Sequence, residues 1–497
     1  MIMPVSQNAA AALPLSELLA SSNCAGGDTM IGGIQLDSRK VSPGDLFLAM
    51  PGDVHDGRQF IEQAVANGAA AIVAEAPVAG FVDEIPVPLV ELPELRLEAG
   101  VLAARFYRNP SRDLHMVGVT GTNGKTTTSR LIAQLGRSLG KSCGVIGTLG
   151  ATLEDDVVRA ANTTPDAVAI QRQLGQWRDR GVFAVSMEVS SHALEQGRVN
   201  GIEFETAVYT NLSHDHLDYH GNMDAYGRAK LQLFIMEELR HAVINIDDEF
   251  APQVQAVVDP DVQVLTYSAS GGAADVRVEN PKFHAGGVRG ELHSPWGTGE
   301  FSSPLPGDFN LANLAAAVSA MALAGEELRA ILAVVPRLRP VPGRMQAIPN
   351  TLGLQVIVDY AHTPAALEQV LRALKPHVKG ALVTVFGCGG DRDKTKRQLM
   401  GRVACALSDK VVVTSDNPRG ESPVDIVRDI EPGCSGDYSL VVDRAEAIAQ
   451  ALTEASAGDC VVIAGKGHED YQVVDGQRLH FSDEAQVRGV LARREAP

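Results

Sequence analysis

The chain is short of the features that would take it out of a reducing, aqueous compartment. Its six cysteines, Cys24, Cys143, Cys388, Cys405, Cys434 and Cys460, are scattered with no Cys-x-x-Cys pair, which argues against a disulfide framework and against a zinc-thiolate site. No apolar run approaches the ~20 residues that cross a bilayer. Basic residues are in deficit: 43 Lys and Arg face 61 Asp and Glu, a net charge of −18 that opposes sequence-independent binding to nucleic acid or anionic lipid. No basic residue precedes Arg39, and Pro14 and Glu17 interrupt the Ala- and Leu-rich start, which is therefore expected to be a helix and not an export signal. Repeats and low-complexity tails are also missing. The expectation is a cytoplasmic protein with no nucleic-acid partner and no transmembrane segment.

What is present is ordinary globular material. The 497 residues are 45% hydrophobic and 21% charged, and at roughly 100 to 200 residues per domain they make about three domains. A first block, 1–98, shows strand-like segments at 34–36, 45–50 and 70–74 and a helix-like 59–67. The proline-spaced segment at 84–88 and its sequel read as a crossing between domains. A second block, 99–338, opens with an apolar strand at 114–120, a glycine loop and a helix over 126–139. Strands at 183–187, 206–209 and 242–245 follow, then a glycine-rich antiparallel excursion over 262–309 and an alanine-rich helix over 313–324. A proline- and glycine-dense hinge at 337–343 leads to a third block, 339–497. Its strands at 354–358, 381–386, 410–414 and 460–464 each end in a polar or glycine-rich loop, where doubly wound sheets carry their ligands. The fold class expected is α/β in three domains, with a central parallel-sheet P-loop ATPase domain and a C-terminal Rossmann-like domain.

The strongest local signal is Gly118-Val119-Thr120-Gly121-Thr122-Asn123-Gly124-Lys125-Thr126-Thr127. A strand, a glycine loop and a helix start aim backbone N–H groups at one point. Lys125 adds a fixed cation and Thr126 a hydroxyl for Mg²⁺, so the segment suits a nucleotide phosphate. Strict P-loop spacing would put glycine at 119, which is valine here. The loop Gly387-Cys388-Gly389-Gly390 lacks the Gly-Lys-Thr ending and carries little weight as a second nucleotide site.

The variant Thr-Gly-Thr-Asn-Gly-Lys-Thr resembles the Mur ligase family of ATP-dependent amide-forming enzymes of cell-wall synthesis. Further segments extend the likeness along the chain: Asn162-Thr163-Thr164-Pro165, Glu188-Val189-Ser190-Ser191-His192, Asn211-Leu212-Ser213-His214-Asp215-His216, Asp359-Tyr360-Ala361-His362-Thr363-Pro364, Gly389-Gly390-Asp391-Arg392-Asp393-Lys394, Asp416-Asn417-Pro418-Arg419 and Gly465-Lys466-Gly467-His468-Glu469. They look most like the members that add the third peptide residue. The resemblance implies attack of a substrate carboxylate on the γ-phosphate of ATP, an acyl phosphate, and its capture by an amine. The acceptor implied is UDP-N-acetylmuramoyl-L-alanyl-D-glutamate, joined through its D-glutamate γ-carboxylate to meso-2,6-diaminopimelate. No covalent nucleophile from the protein is needed, only positioning and charge neutralisation.

Residue by residue, the resemblance assigns Gly121, Thr122, Asn123, Gly124, Lys125, Thr126 and Thr127 to the ATP phosphates, and Asn313, Arg344, Asp359 and His362 to the rest of the nucleotide. Glu188 ends a strand, where an acidic residue either takes Mg²⁺ or is solvated; the resemblance makes it a Mg²⁺ ligand with the Thr126 hydroxyl, assigns His216 to a second metal, and gives Lys230 a carbamate able to bridge to Mg²⁺ or orient it. Lys230 by its own pattern reads as a surface helical lysine. The family's matching lysine is carbamylated, which needs an uncharged amine and hence a depressed pKa. Leu36 and Ser38 are assigned to the uridine, and Asn162, Thr163, Thr164, Ser190, Gln196 and Arg198 to the muramoyl peptide. The loop Gly52-Asp53-Val54-His55-Asp56-Gly57-Arg58 departs from the family pattern, so no single uracil contact is carried over. A carboxylate on the amino acid is best held by a guanidinium. Arg419 with Asp416, Asn417 and Pro418 reads as a plain Asn-Pro turn or, by resemblance, as the diaminopimelate site, completed by Arg392, Gly465 and Glu469. Lys125, Arg198, Arg344, Arg392, Arg419 and Lys466 would form a positive pocket inside an acidic shell. A monomer is expected. The competing readings are another Mur or folylpolyglutamate-type ligase on the same fold, or a nucleotide-switched binding protein that turns over ATP without an acceptor amine.

Overall fold

The computed structural model describes residues 12–21, 24–52, 55–82, 84–154, 156–158, 162–284 and 287–495. The first unit is a four-stranded parallel sheet of Gly33–Gln35, Asp45–Ala49, Ala71–Glu75 and Leu89–Leu92, in that order. The strand Asp45–Ala49 is buried throughout because both faces are covered. Leu15, Leu18 and the helix Leu95–Phe106 close one face, and the helix Ile61–Ala66 the other. The prolines at 84–88 therefore lead into the fourth strand of this sheet and not out of the domain. The helix Leu95–Phe106 runs through residue 98 and buries Leu95, Ala99, Leu102 and Phe106 with Ile34, Leu46 and Val73. The helix expected at the start of the chain is described only as Leu15–Leu18, since residues 1–11 lie outside the described residues.

The central sheet has eleven strands. His115–Thr120 lies in its middle, parallel to Ala184–Glu188 on one side and Thr206–Tyr209 on the other, so the glycine loop that follows meets the carboxyl ends of both neighbours. Gln263–Ser268, within the stretch expected to be antiparallel, is instead a parallel strand; the antiparallel excursion is Val276–His284, Gly287–Ser294 and Gly297–Ser303, a continuation of the same sheet. The helix after the glycine loop, Lys125–Ser138, packs on Phe309–Leu323, whose Ala315, Ala316, Ala317 and Ala320 let the two helices approach closely. That second helix begins four residues before the sequence pattern indicates, with the Asp308 carboxylate accepting from the Phe309 N–H.

The third sheet runs Gln346–Ala347, Gln355–Asp359, Cys460–Ala464, Leu382–Cys388, Lys410–Ser415, Tyr438–Leu440. The four strands legible in sequence form its parallel centre. The two edge strands, of two and three residues, are too short to show a period. Arg444 and Asp483, both fully buried, form a bidentate pair at 2.7 Å through each arm. The same guanidinium donates to the carbonyls of Ser415 (3.2 Å) and Ala464 (3.0 Å), fixing the ends of two strands and the loops beyond them.

Candidate active site

The glycine loop has the backbone its sequence demands. Gly121 and Gly124 hold φ of +146° and +86°, and a Cβ at either would collide with Thr210 Oγ1 or Asn313 Oδ1. Thr122 N–H donates to Asn211 O (2.8 Å) and Asn123 N–H to Asn211 Oδ1 (3.0 Å), so the loop is moored to the end of the neighbouring strand. Lys125 opens the helix, and its ammonium donates to Gly121 O (2.7 Å) and Thr122 O (2.9 Å). Burial lowers its pKa, while Glu188 and Asp215 pull it back up.

Glu188 is 1% exposed, so it is no solvated strand end. Its carboxylate accepts from Thr126 Oγ1 (2.7 Å) and from both the N–H (2.8 Å) and the hydroxyl (3.0 Å) of Thr148. Arg344 reaches across from the third domain to donate to Thr126 Oγ1 (3.2 Å) and stacks 4.4 Å from the centre of the Tyr360 ring. Lys230 is 1% exposed, which overturns the surface reading. Its Nζ lies 4.2 Å over the Tyr226 ring, and among the described residues no group hydrogen-bonds it. Burial, and then the charge of Lys125, hold its pKa well below the ordinary lysine value. His216 sits in the left-handed region at φ +55°, its ring 4.9 Å from that of His192. Burial pushes the pKa of His216 down to about 3 and that of His192 to about 4. His216 is thus neutral and retains a lone pair.

Three cavities meet around this centre. A 350 Å³ cavity is lined by Asn123, Gly124, Thr127, Asn313, Arg344 and Asp359 and takes in all but His362 of the residues expected beside the base and ribose. Asp359 is tied down by the N–H groups of Met345 (2.6 Å) and Ala361 (2.7 Å), and burial raises its pKa. His362 instead lines a second cavity of 610 Å³, its Nε2 3.8 Å from Asp215. That cavity also receives Asn162, Thr163, Thr164, Ser190, Arg198 and His216 from the central domain, and Arg392, Asp416, Asn417, Arg419, Gly465 and Glu469 from the third. A 520 Å³ cavity in the first domain holds Leu36, Ser38, Gln196 and Arg198, so Arg198 lines both. Asp53 and Val54, in the loop that departs from the family pattern, lie outside the described residues.

In the third domain Lys466 is wholly buried and donates to Glu469 (2.9 Å), Asn417 Oδ1 (3.0 Å) and Asp416 (3.5 Å). It is neutralised within its own cluster, so it adds no free cation to the positive pocket. Burial opposes ionisation of Asp416, but Lys466 and Arg444 outweigh it and keep the pKa below the usual carboxylate value. Arg419, at φ +54°, donates from Nη1 to Gly390 O (2.8 Å), and its backbone pairs with Val473 and Asp475. Arg392 is exposed at the cavity wall. Sequence reading missed Thr148, which grips Glu188, and Lys396, which reaches Asp215 from the other domain at 3.2 Å. Neither lies in a motif that carries its partner.

Comparison with known proteins gives a consistent result. Three family models match in succession: Mur ligase family, catalytic domain, over residues 30–107; Mur ligase middle domain over 119–321; and Mur ligase, glutamate ligase domain, over 343–467. The UDP-N-acetylmuramoyl-L-alanyl-D-glutamate–2,6-diaminopimelate ligases of Ectopseudomonas mendocina and Pseudomonas putida are 48% and 47% identical to it, over 97% and 98% of this chain and 99% of each relative. A solved structure of a ligase of that name is 40% identical with a TM-score of 0.70, covering 98% of this chain and 100% of its own.

Proposed function

The chain belongs to the Mur ligase family, and on that premise we propose that it joins meso-2,6-diaminopimelate to the D-glutamate γ-carboxylate of UDP-N-acetylmuramoyl-L-alanyl-D-glutamate, consuming ATP. One observation carries the reading. The 610 Å³ cavity has the Thr163, Ser190 and Arg198 donors on its central-domain wall and Arg392, Arg419 and Glu469 on its third-domain wall, so an anionic acceptor and an amino acid with its own carboxylate face each other.

The acceptor carboxylate attacks the γ-phosphorus, ADP departs, and the amine then attacks the acyl carbon with loss of phosphate. Lys125, held in the glycine loop, neutralises charge on the transferring group, and Arg344 approaches the same point from the third domain. Asn162, Thr163, Thr164, Ser190, Gln196 and Arg198 hold the muramoyl peptide, with the uridine at Leu36 and Ser38. Asn313, Arg344 and Asp359 bound the nucleotide, while His362 lies in the second cavity beside Asp215. Arg419, with Asn417 nearby, and Arg392 take the carboxylates of the incoming amino acid, and Gly465 with Glu469 its distal amine end.

Mg²⁺ fits the donors present: the Glu188 and Thr126 oxygens lie 2.7 Å apart, and His216 is neutral. Glu188 and Thr126 would hold one ion and His216 a second, with a carbamylated Lys230 bridging to Mg²⁺ or orienting it; when bound, the ions would supply further charge neutralisation at the phosphoryl oxygens. An uncharged Lys230 amine, favoured by burial and by Lys125, is the form that adds CO₂. The six scattered cysteines, free thiols here, suit a cytoplasmic enzyme. The test is ADP release with the UDP-muramoyl dipeptide and meso-diaminopimelate, L-lysine or no amino acid. Release confined to diaminopimelate is expected; preference for lysine would overturn the specificity, and release without an amine would overturn the ligase reading.

A further inference from the structure

Beside the Arg344–Thr126 contact at the nucleotide end, the central and third domains are joined by two consecutive residues of one loop. Asp215, 4% exposed, places Oδ1 3.2 Å from Lys396 Nζ and Oδ2 3.8 Å from His362 Nε2. His214 Nε2 lies 3.2 Å from Thr395 Oγ1, and its Nδ1 is 3.4 Å from Asp393. Lys396 is itself 6% exposed, at the start of the helix Thr395–Leu407, and the loop before that helix carries Arg392. Asp215 directly precedes His216 in the chain. A buried ion pair, flanked by the His214 contacts, therefore joins the segment at the phosphoryl end of the large cavity to the segment at its amino-acid end. Two ions are brought out of water only where the geometry repays it, and here it is repaid only while the domains are together.

We propose that the Asp215–Lys396 pair is the latch that registers the third domain on the central one, and that Lys396 is a positioning residue for the amine. The inference rests on the ligase reading above. With the latch made, the amino acid on Arg392 and Arg419 is held against the acyl carbon and water is kept out; with it broken, Arg344 still ties the nucleotide end of the third domain to Thr126, but its amino-acid end rides loosely and the acyl phosphate is lost to water instead of being captured. No atom of Lys396 enters the reaction. Its loss leaves formation of the acyl phosphate in place and changes what becomes of it.

The experiment measures ADP and amide product together for wild type, Lys396→Met, Lys396→Arg, Asp215→Asn and the Asp215→Asn/Lys396→Met double variant. Wild type is expected to give one amide per ADP; no diaminopimelate-dependent ADP release in wild type would remove the ligase reading itself, separately from the latch. Lys396→Met should give several ADP per amide and a KM for diaminopimelate raised by about ten- to a hundredfold, the scale of a misplacement near 1 Å, with KM for ATP little changed. Lys396→Arg, which keeps the cation, should restore coupling. The double variant should be no worse than Asp215→Asn alone. One amide per ADP in Lys396→Met, additive losses in the double variant, or uncoupling in Lys396→Arg equal to that in Lys396→Met each overturns the latch. Should Lys396→Met fail to fold, the Asp215→Asn and Lys396→Arg arms decide the question alone.

Discussion

Thr148 holds the Glu188 carboxylate with two hydrogen bonds, one from its N–H to Oε1 at 2.8 Å and one from its hydroxyl to Oε2 at 3.0 Å. Thr126 donates to the same Oε2 at 2.7 Å. Thr148 thus sets the orientation of a carboxylate assigned to Mg²⁺ without being a ligand itself. Thr148→Val keeps the shape and the N–H but removes the hydroxyl. It is expected to raise the Mg²⁺ concentration for half-maximal ADP release by about ten- to a hundredfold while leaving the fold intact. A Mg²⁺ titration superimposable on that of wild type would show that Thr148 has no orienting role.

Lys230 supplies the second prediction. Its amine is buried over Tyr226 and disfavoured as a cation, so it is poised to react with CO₂. Lys230→Ala should lose ligation, and acetate or formate should restore part of it by placing a carboxylate where the carbamate would lie. Carbon-13 bicarbonate should give a carbamate resonance in wild type that Lys230→Ala lacks. Full activity in the untreated variant would rule the modification out.

These two residues mark what a sequence can and cannot show. The glycine loop was legible because its strand, turn, lysine and helix are contiguous and each part has a local reason. The centre of the third sheet was legible for the same cause, as apolar runs ending in polar loops. Glu188 and Thr148 are 40 residues apart and Asp215 and Lys396 are 181 apart, so only the folded chain pairs them. Lys230 carries a helical surface pattern, yet its helix Met223–Leu231 buries Tyr226, Ala229 and Lys230 together. The boundary placed at 98 rested on proline spacing, whereas the packing of Leu95–Phe106 against the first sheet is a tertiary matter. Gly465, at φ +123°, lies so close to Asp416 that a Cβ there would sit 3.1 Å from its Oδ2, a proximity that only the folded chain shows.

Stability should fall as the solution is acidified below pH 6.5. His192, His216 and His468 have folded pKa values of about 4, 3 and 4, against 6.5 for an exposed histidine, burial being the main cause in each. Between those values the unfolded chain binds protons that the folded chain refuses, so stability present above pH 6.5 is lost towards pH 4, at up to about 1.4 kcal/mol per pH unit for each such proton. Urea midpoints measured from pH 7 to pH 4.5 should show the decline. The His192→Gln/His468→Gln variant should decline less steeply, and an equal slope would assign the acid sensitivity to other groups.

Arg419 donates through Nη1 to Gly390 O (2.8 Å) and Asn417 O (3.4 Å) and lines the large cavity, leaving its other N–H groups for a carboxylate. Arg419→Ala should raise KM for diaminopimelate by about a hundredfold, the cost of losing a charge-assisted pair, and change KM for ATP little. Equal increases for both substrates would place Arg419 in general closure and not in recognition.

The Arg444–Asp483 pair separates structure from recognition. Both side chains are wholly buried, so Arg444→Met strands a carboxylate without its cation and should cost about 3–5 kcal/mol. Replacing both, as Arg444→Met/Asp483→Leu, removes the stranded charge and should recover most of that loss. Recovery cannot be complete, because the Ser415 and Ala464 carbonyls lose the donor that Arg444 gave them. Those carbonyls end the strands from which Asp416 and Gly465 continue, so the double variant should regain protection of Lys410–Ser415 and Cys460–Ala464 in hydrogen exchange yet keep a raised KM for diaminopimelate. If its KM returned to the wild-type value along with its stability, the tether at the strand ends would be dispensable for the site, and the packing of the sheet alone would suffice to place Asp416 and Gly465.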